Sequence, residues 1–468
     1  MRRGLLAGLL CLALAACTAP APGAAPPEPL PVLEPTGKPI TAEDIGEYDG
    51  TARHSDNLRL VASVARRAPL NTEAALGTDL AFTGDHVIEG NYEGFTIYDI
   101  AAPEKASIVS QVYCPGIQND VTVSGDLLFL SVDAATLGPG CQSPPYTGQG
   151  EERWEGVRIF DIKDKRAPRY VGAVATPCGS HTATLVPAAT PDMVHLYVSS
   201  APGRTRFPEC VGHQGRLAVV TVPLADPAAA KLAGTPVLMP DGGTELRGNF
   251  SSGGCHDVTV YPAKKLAAAA CSGDGLLLDI SDPVKPKVLD RLQDEKHFGY
   301  WHSAVFSEDG TKVVFSDEFG GGLSVVCDPK AGDTLGGNGV YTVKDGKLRL
   351  RGYFKIPRKS AAPETCSAHN GSLVPVKDRD VMVQGWYEGG ISVIDFSDPA
   401  APEEIAFFER GRSPYSSPDE YGGSWSAYFY NGYIYSSDMY KGLDVLKLTG
   451  VPLEEQRLTE FNAQTQPG

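Results

Sequence analysis

From Cys255 onward, apolar and polar positions fall into four short runs: HDVTVYP, KLAAAAC, LLLDI and KPKVLDRL. Between them stand Pro-Ala-Lys, Ser-Gly-Asp-Gly and Ser-Asp-Pro-Val. Runs of this length, bounded by turn-forming residues, predict four strands in sequence. The same pattern recurs along the chain. It starts at Thr78 (DLAFTGD, HVIEGNYEG, FTIYDI, PEKASIVSQV). It returns as NDVTVSGDLLFLSVD with WEGVRIFDIKDKRAPRYVGAV, broken by an insertion over 134–153. A third copy (HTATLVP, MVHLYVSS, LAVVTV) carries an insertion over 202–215 and a degenerate outer strand. The fifth is read as WHSAVFSEDGTKVVFSDEFGGGLSVV followed, after an insertion, by KLRLRGYFKIP. The sixth runs from SAHNGSLVP to EEIAFFE, and the seventh, SWSAYFYNGYIYSSDMYKGLDVLKLTG, stops after three strands.

A repeat of about forty to sixty residues built from strands alone predicts an all-β, seven-bladed β-propeller over residues 57–450. One four-stranded unit has two apolar faces and needs a neighbour on each; closing the ring removes the exposed ends. Asn57 to Arg66 (NLRLVASVAR) alternates apolar and polar residues, and is expected to supply the missing outer strand of the last blade. Residues 451–468 are left as a C-terminal tail.

The phrases GFTIYDIAAPEKASIV, GVRIFDIKDKRAPRYV, GLLLDISDPVKPKVL and GISVIDFSDPAAPEEI resemble the LVIVD-repeat family over about residues 78–448. That resemblance implies a bacterial β-propeller of an exported or surface protein, a family mostly without assigned activity. The third unit lacks the first Asp of the phrase, and the fifth has Cys327 where the Asp is expected. Locally, Asp99, Asp161, Asp279 and Asp395 are expected to cap the turn after the third strand, a structural role.

The N-terminus begins with Arg2 and Arg3, an apolar run from Leu5 to Leu14, then small residues, the pattern of an export signal over residues 1–17. Leu14-Ala15-Ala16-Cys17 resembles a bacterial lipobox, which implies cleavage before Cys17, its lipidation, and a membrane as partner. Residues 18–56 then read as a Pro-rich tether and irregular segment. The expected location is periplasmic or at the cell surface. Acidic residues number 57 against 41 basic ones, for a formal net charge of −16. With no basic cluster, a nucleic-acid partner is not expected.

Eight cysteines remain beyond the leader, as disulfides in an exported protein would require. Cys114 with Cys141, Cys178 with Cys210, and Cys255 with Cys271 each join a unit's lead-in segment to its second strand or the following loop. Each pair would close a short loop worth about 2–4 kcal/mol. Cys327 is placed at the end of a third strand, on the face opposite Cys366. A Cys327–Cys366 bridge is therefore not expected, and Cys366 is left as a thiol near His369.

Alignment of the units on their first strands produces a column: Thr78, Asn119, His181, His256, His302, His369 and Trp425. Four of the nine histidines share this one position, at the start of the innermost strand and so at one mouth of the channel. The next position holds Asp79, Asp120, Thr182, Asp257, Ser303, Asn370 and Ser426. Second strands end in Glu89, Asp133, Asp274, Asp317, Glu318, Glu388 and Asp438, on the same face as the long insertions and the lead-in segments 293–301 and 410–424.

The candidate metal- or ligand-binding rim is therefore His181, His256, His302 and His369 with Asp257, Asp274, Asp317, Glu318, Glu388 and Asp438. In one reading, imidazoles of adjacent blades bind zinc or copper with carboxylate support. In the other, each histidine bonds a carbonyl or acid of its own repeat, and duplication alone made the column. Selenium-binding-protein-like thiol oxidases are similar in having histidines around a channel, but share no extended motif with this chain. His195 and His213 fall outside the column. No Gly-x-Ser-x-Gly, His-Glu-x-x-His or phosphate-binding glycine loop occurs. The sequence leads to a binding or scaffold module taking a protein or small-molecule ligand on its loop-rich face. Its alternative is a metal-dependent oxidase or hydrolase.

Overall fold

The computed structural model describes residues 35–39, 52–148, 153–200, 210, 215–244, 254–359, 364–410 and 422–467, all within one compact unit, Glu34–Gly468. The leader with Cys17, most of the segment 18–56, His213, and most of the insertion 202–215 and the lead-in 410–424 lie outside the described residues.

The described strands form six sheets: four of four strands, one of five and one of nine. The unit first recognised in sequence is a simple meander of Asp257–Tyr261, Leu266–Cys271, Asp274–Asp279 and Lys287–Leu292. Its register is set by the pairs Asp257↔Ala270, Cys271↔Asp274 and Asp279↔Lys287. The run Ala267 to Ala270 is apolar at every position because both faces are covered. Ala267 and Ala269 pack with Val186, Tyr197 and Leu217 of the preceding unit. Ala268 and Ala270 pack with Trp301, Phe306 and Phe315 of the following one. Alternation therefore sorts side chains between two cores rather than between core and water. Only the outermost strand, Lys287–Leu292, is largely exposed.

The innermost strands Gly77–Thr83, Val121–Ser124, Thr182–Pro187, Asp257–Tyr261, Trp301–Phe306, Asn370–Val376 and Ser424–Tyr430 touch in that order, and the last returns to the first. This closed circuit of strands is β-propeller architecture. The nine-stranded sheet contains two such meanders joined by a short parallel pairing, Asn370↔Ser426 and Gly371↔Ala427.

Described segments from both the N-terminal and the C-terminal part of the chain are woven into the ring. Leu58–Val64 pairs antiparallel with Gly442–Leu448, from Leu58↔Leu448 to Val64↔Leu443, as the N-terminal pattern led us to expect. Upstream, Arg53–His54 pairs with the outer strand Glu403–Glu409. At the other terminus, Glu460–Asn462 pairs with Gly77–Thr83, and the following residues cross the ends of the inner strands. Asn462 accepts from Val123 N at 2.7 Å and donates to Val123 O at 2.9 Å. Thr465 donates to Leu185 O at 2.7 Å. Val260 N donates to Gln464 O at 2.8 Å, and Phe306 N to the Gln466 side chain at 3.1 Å. The column of histidines begins these strands, so the C-terminal segment spans the opposite mouth.

The turn aspartates act as expected. Asp99, Asp161, Asp279 and Asp395 each accept a backbone N–H two residues on, from Ala101, Lys163, Ser281 and Ser397, at 2.8–2.9 Å. The three expected disulfides are all formed. One expectation about cysteine is overturned: Cys327 is bonded to Cys366. The third strand of the fifth unit is Asn338–Lys344, not the stretch that ends at Cys327. Gly320, Gly321 and Gly322 all have φ between +63° and +76°, a backbone that turns the chain away from a strand. Cys327 thus sits in the loop between strands two and three, on the same face as Cys366, which is no free thiol.

Candidate metal centre at the loop-rich mouth

The repeat places the histidines equivalently through their backbones. The N–H of His181 donates to Ser199 O at 2.7 Å, that of His256 to Ala270 O at 2.7 Å, and that of His369 to Gly385 O at 3.0 Å. Neighbouring units lock the same residues sideways. Thr182 donates to His256 O at 2.9 Å and Ser303 to His369 O at 3.1 Å; Gln384, from the same unit as His369, also donates to His369 O at 2.9 Å. His302 differs: the register of its strand shifts between Trp301 and Ala304, and such a bulge re-aims a side chain.

The four rings converge. Their centroids are 4.2 Å apart for His181 and His256, 3.9 Å for His256 and His302, and 4.2 Å for His302 and His369. Trp425 and Tyr387 pack edge-on against His369 at 4.7 and 4.8 Å, and Tyr300 against His256 at 5.6 Å. All four histidines are buried.

Their partners are unequal. His181 Nδ1 lies 3.0 Å from Asp133 and its Nε2 lies 2.6 Å from His256 Nε2. His256 Nδ1 is 3.0 Å from Asp257, whose other oxygen accepts from Gln464 at 2.6 Å. His369 Nδ1 is 2.5 Å from the Trp425 carbonyl, and its Nε2 is 3.7 Å from Glu318. His302 Nε2 is 3.6 Å from the same carboxylate, beyond hydrogen-bond reach. Both ring nitrogens of His302 lack a hydrogen-bond partner at 1% exposure. The duplication reading has each ring bond a carbonyl or acid of its own repeat; His256 does so with Asp257, whereas His181 reaches Asp133 of the preceding unit, His369 the Trp425 carbonyl of the next, and His302 neither.

Electrostatics keep three of these rings neutral. Burial, reinforced by the other histidines, drives His256 and His302 well below the ordinary imidazole range. Burial likewise takes His369 down to about 3. Burial also opposes charge on His181, but Asp133, Asp257 and Glu318 together outweigh it and raise the value. Glu318 is pushed up to about 8 by burial, against the pull of a hydrogen bond from Tyr387. Neutral imidazoles with free lone pairs are the form that binds metals.

Within the histidine cluster, two donor sets meet the spacing a metal needs; a third group among the described residues, Cys327, Glu364 and Cys366, has its cysteines joined in a disulfide. Ligand atoms of His256, Asp257 and His302 lie within 4.8 Å of one another, and so do those of His302, Glu318 and His369. Four of the acids expected on the rim are engaged elsewhere. Asp274 accepts from Thr244 N and Arg291 Nε at 2.7 and 2.8 Å. Asp317 takes the backbone N–H groups of Gly299, Tyr300 and Gly336 at 2.7–3.0 Å. Glu388 accepts from Thr365 N at 2.9 Å, and Asp438 from Tyr440 N and Lys441 N at 3.1 and 2.9 Å. These carboxylates tie down the rim loops. Of the aromatic wall, Tyr300 lies in the lead-in segment 293–301, and Tyr387 has a repeat counterpart in Tyr92 (Gly90-Asn91-Tyr92-Glu93-Gly94 against Gly385-Trp386-Tyr387-Glu388-Gly389), a signal that the first-strand column did not include. His195, outside the column, bonds Thr221 at 2.9 Å within its own sheet.

No protein family and no curated protein matches the chain by sequence. Solved structures do match by shape. A putative 6-phosphogluconolactonase from Bacteroides uniformis is 13% identical, with a TM-score of 0.51 over 84% of this chain and 97% of that one. A periplasmic gluconolactonase from Pseudomonas aeruginosa is 12% identical, with a TM-score of 0.51 over the same shares. At such identities the likeness is one of fold alone.

Proposed function

We propose that this chain is an exported, seven-bladed β-propeller metalloprotein whose histidine cluster holds a transition metal. The observation that carries the reading is His302. A buried imidazole with neither nitrogen bonded costs about 1–3 kcal/mol per unmet group, and it stands among neutral histidines and carboxylates. Imidazole with carboxylate suits zinc or copper. His256, His302 and His369 would be ligands, with Asp257 and Glu318 as ligands or supports, and Asp133 would hold His181 in place. Bound there with one position open, the metal supplies Lewis acidity or redox capacity, the basis for an oxidase or hydrolase acting on a small molecule.

The count of seven blades is supported by the circuit of inner strands, with the nine-stranded sheet divided at its parallel pair. Substrate would arrive through the loop-rich mouth, since the C-terminal segment crosses the other. Four disulfides suit an oxidising compartment. Lipidation at Cys17 would hold the propeller at a membrane surface, with residues 18–56 as its tether.

The test is elemental analysis of protein purified without a histidine tag, beside a variant with His181, His256, His302 and His369 all changed to Ala. Zinc or copper in the first and none in the second is expected, and a His302→Ala single variant should lose most of it. Equal metal content in wild type and both variants would overturn the reading.

A further inference from the structure

The orphaned nitrogens of His302 say more than that a metal binds. One metal ion satisfies one nitrogen of an imidazole. The other would remain in the core at 1% exposure with no acceptor or donor. Two donor sets meet at this ring: His256 and Asp257 belong to one, Glu318 and His369 to the other, and His302 is the one residue they share; its Nε2 is the nitrogen nearer Glu318, at 3.6 Å. Its two neighbouring rings flank it at 3.9 and 4.2 Å. We propose that the cluster is a two-metal centre in which the His302 imidazole bridges, one nitrogen to a metal shared with His256 and Asp257, the other to a metal shared with Glu318 and His369.

This rests on the metal reading above and specifies how many ions the site takes and how the ligands divide. A bridging imidazole is an imidazolate, so its N–H proton leaves to solvent as the second ion binds. Charge then nearly balances: two divalent cations face the imidazolate and the carboxylates of Asp257 and Glu318. A buried site with one uncompensated charge is far less costly than one with four. His369 is already arranged for its share, with Nδ1 held by the Trp425 carbonyl and Nε2 turned toward Glu318. Anchoring one nitrogen in this way orients the other as a ligand.

The experiment is a titration of metal-free, untagged protein with copper(II) alone, followed by bound-metal analysis and electron paramagnetic resonance. Saturation is expected at two equivalents per chain, with loss of the isolated-ion signal as the second enters, because the bridge couples the two spins. His256→Ala and His369→Ala should each keep one equivalent with an uncoupled spectrum. His302→Ala should abolish coupling whatever copper it retains. Saturation of the wild type at one equivalent would overturn the bridge and leave a mononuclear metal site. Two uncoupled equivalents, unchanged in His302→Ala, would overturn it as well. No binding at all would overturn the metal reading itself.

Discussion

Glu89 lies within the second strand of the first unit, His86–Asn91, buried, with one oxygen bonded to Tyr98 at 2.6 Å and the other without a partner. Burial, opposed by Tyr98 and Arg66, pushes its carboxyl up to about 7. The folded state therefore holds a proton that the unfolded state gives up near pH 4.5. Where the folded protein binds more protons, stability falls as pH rises. The contribution is complete below about pH 4.5 and is lost as pH climbs through about 7, a swing of roughly 3 kcal/mol. Melting temperature followed from pH 4.5 to pH 8 should drop, and Glu89→Gln should flatten part of that slope. A variant with the wild-type slope would mean Glu89 ionises freely. At this scale the sequence was informative about type and position but not about partners. The column of His181, His256, His302 and His369 was visible because duplication repeats backbone positions. Asp274, Asp317, Glu388 and Asp438 occupy the expected rim yet turn to loop N–H groups or to Arg291, because the insertions that capture them differ from unit to unit.

The C-terminal segment shows what single elements can hide. EFNAQTQPG has no apolar alternation, so nothing in it announces a strand. Its Asn and Gln side chains instead complete hydrogen bonds that the inner strands leave open at the far mouth. Asn462 alone meets both the N–H and the carbonyl of Val123. Asn462→Ala should destabilise the protein by roughly 2–4 kcal/mol, the cost of two buried groups left unmet. Chemical denaturation reads this directly, and a loss under about 0.5 kcal/mol, less than one hydrogen bond's worth, would show that water replaces the side chain. The cysteine loop of the fifth unit is the converse case. GGGLSVV looks like a strand by composition, but three successive glycines at positive φ bend it into the loop that carries Cys327 to Cys366.

Across the whole molecule, closure depends on strands from distant parts of the chain. Leu58–Val64 covers the outer edge of Gly442–Leu448, while Arg53–His54 pairs with the outer strand of the other meander in the same nine-stranded sheet. Removal of residues 52–66 should leave an unpaired edge that recruits other chains. Light scattering after size-exclusion chromatography should show a higher association state than that of the full chain. An unchanged mass together with an unchanged melting temperature would show that the ring closes without this strand.

The sequence by itself determined the strand pattern, the repeat, the turn aspartates and the histidine column. These follow from local periodicity and from duplication, which act on each unit separately. Only the tertiary structure decided that the four rings face one another, that His302 belongs to two donor sets without a hydrogen bond, and that Asp133, Asp257 and Glu318 join the rings while Asp274, Asp317, Glu388 and Asp438 are engaged elsewhere. Those outcomes depend on how neighbouring units abut around the channel, and on a bulge at one strand's start. No single repeat contains that information.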